Sequence, residues 1–341
     1  MPVTRAGLIL VLSSSSSAFS GILGFYMKLT PLDIAASSRA PYELSEALER
    51  GHDKRADDAW LAARLTDPAS EFIPIWNLDS LIEHDPVRTV RLNAETAAGL
   101  LPGAASLIYL GLRGDHAIFA IGLDSDGSQS LAARGRWTNI RTVGELLEPA
   151  EWAVSAYARA MVYWHERHRY CGLCGSRTAS LQGGHVLKCT NAACATEHYP
   201  RTDPCIIVLV FSGGRCLLGR QPSWPAGRYS TLAGFIEPGE SAEQAVAREV
   251  YEESGIRLRE ARYFGSQSWP FPASLMLGFH AEAATEEIHL HDGELGDARW
   301  FTRRELRAAL DAGAVGLPTS VAISHRLIAA WFNMEPVGSP L

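Results

Sequence analysis

Apolar and polar residues alternate in short runs along much of this chain, and each run predicts a strand bounded by turns. In the N-terminal half, such runs lie at residues 72–76, 105–112 and 116–123. The segment 143–168 has helical periodicity instead. The pattern therefore predicts a mixed α/β domain before residue 165, in which no catalytic motif is visible.

A second series of apolar runs predicts another sheet in the C-terminal half. Strands are expected at 206–211, 216–219, 232–235, 263–266 and 275–281, and helices at 302–312 and 319–331. A further helix is expected between the third and fourth of these strands. Ser241 is a natural N-cap, Gln244 completes a capping box, and Gly255 can adopt the left-handed conformation that ends a helix. The predicted fold class is α/β (α+β).

Composition limits the number of domains and the kind of partner. The chain has 341 residues, of which 47% are hydrophobic and 20% charged, enough apolar material for two or three folded units. The net charge of −7 argues against broad electrostatic binding of nucleic acid, although it leaves room for a local basic groove.

The first 26 residues have a composition of their own. Arg5 precedes a short apolar run and five serines, which resembles the start of a signal peptide. The run is too short to cross a membrane, and no other segment reaches the required length. Because Met27 offers an alternative start, we interpret residues 1–34 as a disordered extension rather than an export signal, and we expect no membrane association.

Four cysteines have the spacing of a metal site. Cys171 and Cys174 form one pair, and after fourteen intervening residues Cys189 and Cys194 form a second pair. Thiolates in two such knuckles can close a tetrahedral shell around one structural Zn²⁺ ion. Free thiols are the alternative for these four, and His185 and His198 are alternative ligands. Cys205 and Cys216 are expected to be ordinary buried thiols, and the reduced cysteines predict a cytoplasmic location.

Three carboxylates on the predicted helix indicate a second metal site. Glu249, Glu252 and Glu253 share one helical face, where their charges repel unless cations lie between them. Hard oxygen ligands suit Mg²⁺ or Mn²⁺. A solvated glutamate face is the alternative interpretation of these residues.

Two longer patterns identify a family resemblance. The spacing Gly234-x5-Glu240-x7-Arg248-Glu249-Val250-x-Glu252-Glu253-x-Gly255-Ile256 matches the Nudix box, the signature of hydrolases that cut a diphosphate linked to another moiety. Residues 266–274 resemble the SQPWPFPxS array of NADH pyrophosphatases, the NudC-type enzymes that also act on NAD-capped RNA, with Ser268 in place of the usual proline. The resemblance is strong over 165–332 and covers 35–165 only in general layout.

The resemblance implies a role for each matching residue. Glu249, Glu253 and Glu294 would bind two or three Mg²⁺ or Mn²⁺ ions together with the Ala233 carbonyl. Among the catalytic residues, Glu252 would be a further ligand or orient water, and Arg248 would orient the glutamates through a salt bridge. The implied substrate-binding residues are Tyr199, Phe235, Gln267, Ser268, Trp269, Pro270, Phe271, Pro272, Ala273, Ser274 and Ala322. Core packing is the alternative role for Trp269 and Phe271.

The resemblance also implies the domain order, the activity and the partners. After the extension, we expect a Nudix-like α/β domain at 35–165, a zinc ribbon at 166–199 and a Nudix α/β/α sandwich at 200–335. The implied activity is hydrolysis of NADH or NAD⁺ to nicotinamide mononucleotide and AMP, with removal of NAD caps from RNA, by a homodimer. The alternatives are a Nudix pyrophosphatase specific for ADP-ribose or nucleotide-sugars, and a zinc-ribbon RNA-binding protein with an inactive Nudix domain.

Overall fold

The structure is a computed structural model that describes residues 44–291 and 293–333. The expected extension at 1–34 therefore lies outside the described residues. Within the part of the chain that is described, no helix is both long and apolar enough to cross a membrane.

The first domain is a mixed sheet with helices packed against it. Its elements are α1 (Leu44–Ala47), α2 (Asp58–Leu65), β1 (Glu71–Trp76), β2 (Asp79–His84), β3 (Val87–Thr89), α3 (Ala94–Ala98), β4 (Ser106–Arg113), β5 (His116–Gly122), α4 (Ser125–Ser130), β6 (Arg136–Thr138), α5 (Ile140–Val143) and α6 (Pro149–Arg167). The strand order is β3-β2-β1-β5-β4, and β6 also pairs with β2. Strands β1 and β5 are parallel, and their neighbours are antiparallel.

The long helix α6 forms a core with this sheet, although it begins later than the sequence pattern predicts. Its buried residues Val154 and Met161 pack with Ile73 of β1 and Ile118 of β5. The single helix expected from residue 143 is wrong in its first turns, where the backbone forms α5 and a 3₁₀ turn instead. Pro149 sets the start of α6, because proline has no N–H to donate and its fixed φ suits the first helical turn.

A small three-stranded sheet follows, made of β7 (Thr178–Leu181), β8 (Val186–Cys189) and β9 (Glu197–His198). It is anchored to the first domain by two buried histidines. The Nε2 atom of His165 lies 2.8 Å from the Gly184 carbonyl oxygen, and the Nε2 atom of His185 lies 2.8 Å from the Tyr109 carbonyl oxygen. His185 therefore bonds the first domain and is not one of the clustered metal-binding side chains.

The last domain is a three-layer sandwich. Its elements are β10 (Asp203–Ser212), β11 (Arg215–Arg220), β12 (Leu232–Phe235), α7 (Ala242–Ser254), β13 (Leu258–Trp269), β14 (Ser274–Ala283), β15 (Asp297–Thr302), α8 (Arg303–Asp311) and α9 (Ile323–Asn333). The strand order is β13-β14-β10-β11-β15, with β12 paired to β10 and with β10 parallel to β14.

Alternation along β10 explains the two helical layers. Val208 and Val210 face α7, whereas Ile207 and Leu209 face α8 and α9. Successive side chains of a strand point to opposite faces, so a wholly apolar strand must be covered on both sides. The predicted α/β/α sandwich is confirmed. The final helix begins at Ile323 rather than at residue 319, and β13 extends well beyond the predicted 263–266.

The first and last domains contact each other through α6. Arg159 donates from Nε to the Leu78 carbonyl oxygen at 3.1 Å and from Nη1 to the Pro270 carbonyl oxygen. Trp152 lies with its ring centroid 6.5 Å from that of Trp269 and 6.2 Å from that of Phe271. The turn after β13 is therefore held by side chains of the first domain.

Candidate active site and metal centres

Local sequence fixes the position of the carboxylate-bearing helix α7. The Ser241 Oγ accepts from the Gln244 backbone N–H at 3.2 Å, and the Gln244 Oε1 accepts from the Ser241 N–H at 2.8 Å, which completes the capping box. Gly255 ends the helix with φ 71°, a left-handed conformation that favours glycine. The predicted start and end of this helix are confirmed.

The three glutamates of α7 differ in their exposure. Glu249 and Glu253, one helical turn apart, are only 9% and 3% exposed, whereas Glu252 is exposed. Gly234 on β12 lies so close that a Cβ atom there would be 1.9 Å from the Glu249 carboxyl carbon. The box therefore needs glycine at position 234 because the buried carboxylate occupies the space of a side chain.

Arg248 connects the carboxylates to one another. Its guanidinium donates to Glu249 Oε1 at 2.9 Å and to Glu252 Oε2 at 2.9 Å. It also donates to both carboxylate oxygens of Glu240 and to the Phe235 carbonyl oxygen. The side chain has the contacts expected of a group that orients the glutamates. The hydrogen bonds from Arg248, and to a lesser extent the one from the Glu237 backbone N–H, lower the pKa of Glu240 to about 2.

The electrostatics at Glu249 fit a bound cation. Burial raises the pKa of the Glu249 carboxyl, the contacts with Arg248 lower it, and the charges of Glu252 and Glu294 raise it further. The Glu294 side chain, in the loop before β15, is therefore close enough to act on Glu249 although 45 residues separate them in sequence. Hard oxygen donors gathered in this way suit a divalent cation.

A cavity of about 610 Å³ lies beside the carboxylates and includes residues of both α/β domains. Of the residues predicted for the site, it is lined by Ala233, Glu253, Gln267, Trp269 and Ala322. The first domain contributes Asn139, Arg141 and Thr142, and Arg228 reaches the cavity from the segment between β11 and β12.

Arg141 and Arg228 are candidate site residues that the sequence pattern did not reveal. Arg141 belongs to no motif, and its guanidinium lies 5.5 Å from the Trp269 ring centroid and 5.3 Å from that of Phe271. Arg228 precedes β12 without a distinctive pattern around it. The only signal available in sequence was their charge, which an exposed arginine shares with many others.

The predicted array 267–274 does not line one pocket. Gln267 and Trp269 face the large cavity, whereas Ser268, Pro270, Ala273 and Ser274 line a separate cavity of about 280 Å³ beside the end of α6. Side chains alternate along β13, which turns Ser268 away from the cavity that Gln267 and Trp269 face, whereas the other three residues lie beyond the end of β13. These four residues do not line the larger of the two cavities, and their role in substrate binding stays a prediction.

Other predicted contacts lie outside the lining of the large cavity. Phe271 packs against Trp269, with ring centroids 5.1 Å apart, and Pro272 is exposed. Tyr199 and Phe235 are 59% and 58% exposed, and the Tyr199 hydroxyl donates to Glu197 Oε2 at 2.8 Å. Their roles in substrate binding stay predictions.

Gln267 is engaged at both ends of its amide. Nε2 donates to the Val321 carbonyl oxygen at 2.7 Å, and Oε1 accepts from the Ile323 N–H at 2.8 Å. Both bonds fix the backbone on either side of Ala322, which lines the cavity. Gln267 thus has the contacts of a positioning residue.

The four predicted cysteines form a compact cluster. The Sγ atoms of Cys171, Cys174, Cys189 and Cys194 all lie within 4.8 Å of one another. Hydrogen bonds from Ser176 lower the pKa of Cys174 to about 6, which favours the thiolate that binds metal. Burial raises the pKa of Cys189 in the cluster and of Cys216 outside it to about 12 each, so what distinguishes Cys216 is its distance from the other thiols. The cluster has the donor set of a closed structural zinc site.

Family models match three consecutive regions of the chain. A NADH pyrophosphatase-like rudimentary NUDIX domain matches residues 69–164, a NADH pyrophosphatase zinc ribbon domain matches 166–199, and a NUDIX domain matches 201–319. The ribbon match agrees with the cysteine cluster, and together they indicate a structural zinc ion.

Individual relatives are similar over more than half of the chain. NAD-capped RNA hydrolase NUDT12 of Macaca fascicularis is 35% identical over 336 residues, covering 85% of this chain and 72% of the relative. NAD-capped RNA hydrolase NudC of Stutzerimonas stutzeri is 48% identical over 193 residues, covering 57% of this chain and 66% of the relative. NAD-capped RNA hydrolase NudC of Mycobacterium tuberculosis is 41% identical over 207 residues, covering 58% of this chain and 66% of the relative. The chain therefore belongs to the NADH pyrophosphatase and NAD-capped RNA hydrolase (NudC-type) family of Nudix hydrolases.

Proposed function

We propose that this protein hydrolyses the diphosphate of NADH and NAD⁺ to nicotinamide mononucleotide and AMP, and that it also removes NAD caps from RNA 5′ ends. One observation carries the proposal. Glu253 and Ala233 of the box region share a cavity with Gln267, Trp269 and Ala322, so the groups for diphosphate chemistry and those for dinucleotide recognition face the same space. The relatives named as NAD-capped RNA hydrolases support the same substrate class.

We propose that Glu249, Glu253, Glu294 and the Ala233 carbonyl hold two or three Mg²⁺ or Mn²⁺ ions. Such ions, when bound, neutralise the diphosphate and lower the pKa of an attacking water. Glu252 is exposed beside them, and we propose that it orients that water or accepts its proton. Arg248 keeps Glu249 and Glu252 in position through its bonds to both.

The aromatic residues supply the surfaces for flat rings. Trp269 lines the cavity, and Phe235 and Tyr199 are exposed and able to stack on a base or on nicotinamide, which contributes about 1–3 kcal/mol per base. Arg141 adds a positive charge from the first domain. We propose that the remaining residues of the array contribute to substrate binding next to this cavity, namely Ser268, Pro270, Phe271, Pro272, Ala273 and Ser274.

The remaining assignments concern the assembly and the surroundings of the protein. We propose one zinc ion per chain in the cysteine cluster, a homodimeric state implied by the family, and a reducing, cytoplasmic location in which the four thiols stay available to metal. We also propose the boundaries 35–165, 166–199 and 200–335 for the three folded units, and residues 1–34 as an extension.

A substrate panel tests the activity. Purified protein with Mg²⁺ or Mn²⁺ is assayed on NADH, NAD-capped RNA and ADP-ribose, with the products identified by chromatography. We expect kcat/KM for NADH or NAD-capped RNA to exceed that for ADP-ribose at least about tenfold, a difference of about 1.4 kcal/mol in transition-state binding. If kcat/KM for ADP-ribose exceeded that for NADH tenfold, the proposed substrate specificity would be wrong. Inactivity on all three would favour a binding protein.

A further inference from the structure

Two positive side chains from different domains face the cavity that contains Glu253. Arg141 belongs to α5 of the first domain, and Arg228 lies just before β12 of the last domain. In the described parts of the chain neither guanidinium forms a salt bridge, whereas Arg248 on the other side of Glu249 bonds three glutamates. Among the described residues, the cavity is therefore lined by one carboxylate, that of Glu253, and by two cations that form no salt bridge.

The surroundings of Arg228 hold its backbone firmly. Its own N–H donates to the Pro225 carbonyl oxygen at 3.1 Å, and the next residue, Tyr229, is buried and donates its N–H to the Gly316 carbonyl oxygen at 2.9 Å. The guanidinium lies 5.9 Å from the ring centroid of Trp224, which also lines the cavity. An aromatic face supports a cation without neutralising it, so the charge stays available to an anion.

Two unpaired cations around one cavity repel each other. The pKa of Arg141 is lowered by burial and then by the charge of Arg228, which shows that the two charges act on each other. A bound anion removes this repulsion, and arginine is well suited to a phosphate because it can donate two hydrogen bonds at once. The substrate diphosphate does not meet this need, because the proposed metal site at Glu249 and Glu253 neutralises it. The cations therefore fit a further phosphate.

We propose that Arg228, next to Arg141, selects dinucleotide substrates that carry a phosphate in addition to the diphosphate; this inference rests on the proposed function. The shared chemistry is a phosphate ester on the adenosine ribose. It has two possible sources: the 2′-phosphate of NADPH, and the 3′-phosphodiester that joins an NAD cap to the rest of an RNA. Free NADH lacks this group and serves as the reference substrate.

The test compares kcat/KM for NADPH, for an NAD-capped RNA oligonucleotide and for NADH, in wild type and in Arg228→Met. We expect the ratio of NADPH or of capped RNA to NADH to fall about tenfold or more, the usual effect of losing a hydrogen bond to a charged group. The substrate whose ratio falls identifies the source of the phosphate. Arg228→Lys keeps the positive charge, so its ratio of kcat/KM for the phosphate-bearing substrate to that for NADH should lie between those of wild type and Arg228→Met.

Arg215→Met is the matched control. Arg215 also lies over a tryptophan, 5.6 Å from the Trp300 ring centroid, but it does not line the cavity, so its loss should leave the ratios as in wild type. Unchanged ratios in Arg228→Met would overturn the inference while NADH hydrolysis upheld the proposed function. An equal fall for all three substrates would also overturn it, because Arg228 would then bind the diphosphate. A wild-type protein inactive on every substrate would instead refute the proposed function itself.

Discussion

The first and last domains share one arrangement of strands and differ in the helix between two hairpins. In each, a parallel pair forms the centre, β1 with β5 and β10 with β14, and each of these strands also belongs to an antiparallel hairpin. Strand β6 pairs with β2 just as β15 pairs with β11. Between the hairpins, α3 covers only Ala94–Ala98, whereas α7 covers Ala242–Ser254.

The proposed metal site depends on the length of this helix. Helix α3 has one acidic residue, Glu95, and ends before a residue four positions further could add a second carboxylate on the same face. Helix α7 is long enough for Glu249 and Glu253 to do so, and its buried face packs on the sheet. The fold by itself therefore supplies no chemistry, which depends on the side chains that one helix carries.

The first domain contributes to the site from its other end. Residues of α5 and of the segment before α6 reach the last domain, where Arg141 lines the cavity and Glu145 accepts hydrogen bonds from Ser320. Arg159 bonds the turn that follows β13. The last domain therefore carries the carboxylates, whereas the first domain supplies part of the cavity lining and hydrogen-bonds the loops beside it.

The largest effect is expected when one glutamate in each of the corresponding helices α7 and α3 is replaced by glutamine. Glu253→Gln should lower NADH turnover at least about 100-fold, because even groups that only support a metal ligand often cost 10–100-fold. Glu95→Gln should stay within about twofold of wild type, since Glu95 is exposed on α3. Steady-state assays and circular dichroism measure both. Near-wild-type turnover in Glu253→Gln would remove it from the metal shell.

The ribbon between the domains gives the next largest effect. Cys171→Ser should lose the bound zinc and lower the melting temperature by about 5 °C or more, because binding of the metal contributes directly to folding. Cys216→Ala also removes a buried thiol, but one outside the cluster, so it should keep its zinc. Elemental analysis and calorimetry provide the measurements. An unmodified protein without zinc would rule out this site.

Arg159→Met tests the bracing role of the first domain. The change leaves the carbonyl oxygens of Leu78 and Pro270 without their donor, so we expect the free energy of unfolding to fall by about 1–3 kcal/mol. We also expect KM for NADH to rise, since the turn beside Trp269 loses its support. Arg262→Met is the control, because it breaks only an exposed pair with Glu260 and should cost less than about 0.5 kcal/mol. Urea denaturation measures both losses of unfolding free energy. Equal losses in Arg159→Met and Arg262→Met would contradict the stabilising role of Arg159.

Glu145→Gln should have the smallest effect, and its effect should depend on pH. Hydrogen bonds from the Ser320 N–H and hydroxyl lower the pKa of Glu145 below its ordinary value of 4.5. A carboxyl with a lowered pKa stabilises the fold fully above its unfolded pKa, and this contribution is lost as pH falls through the folded value. The free energies of unfolding of wild type and of Glu145→Gln should therefore differ by less than about 1 kcal/mol at neutral pH, and they should be equal in strong acid. A difference that grows on acidification would contradict this assignment.

Much of the architecture and the chemical core of the site followed from the sequence because they depend on neighbouring residues. The capping box at Ser241, the left-handed stop at Gly255 and the one-turn spacing of Glu249 and Glu253 are properties of a single helix. Apolar runs located β1, β4 and β5 of the first sheet and β10 to β14 of the last, but neither β2 nor β15. The short strands β3 and β6 escaped prediction because three residues are too few to show an alternating pattern.

The sequence by itself determined that this protein carries a helix with three clustered carboxylates, four cysteines with the spacing of a zinc site, and an array that resembles that of NADH pyrophosphatases. Only the tertiary structure decided that Gly234 must leave room for a buried carboxylate, and that half of the array faces a second cavity. It also placed Arg141 and Arg228 at one cavity, although 87 positions separate them in sequence. Such contacts arise where separate elements pack together, and no local spacing records them.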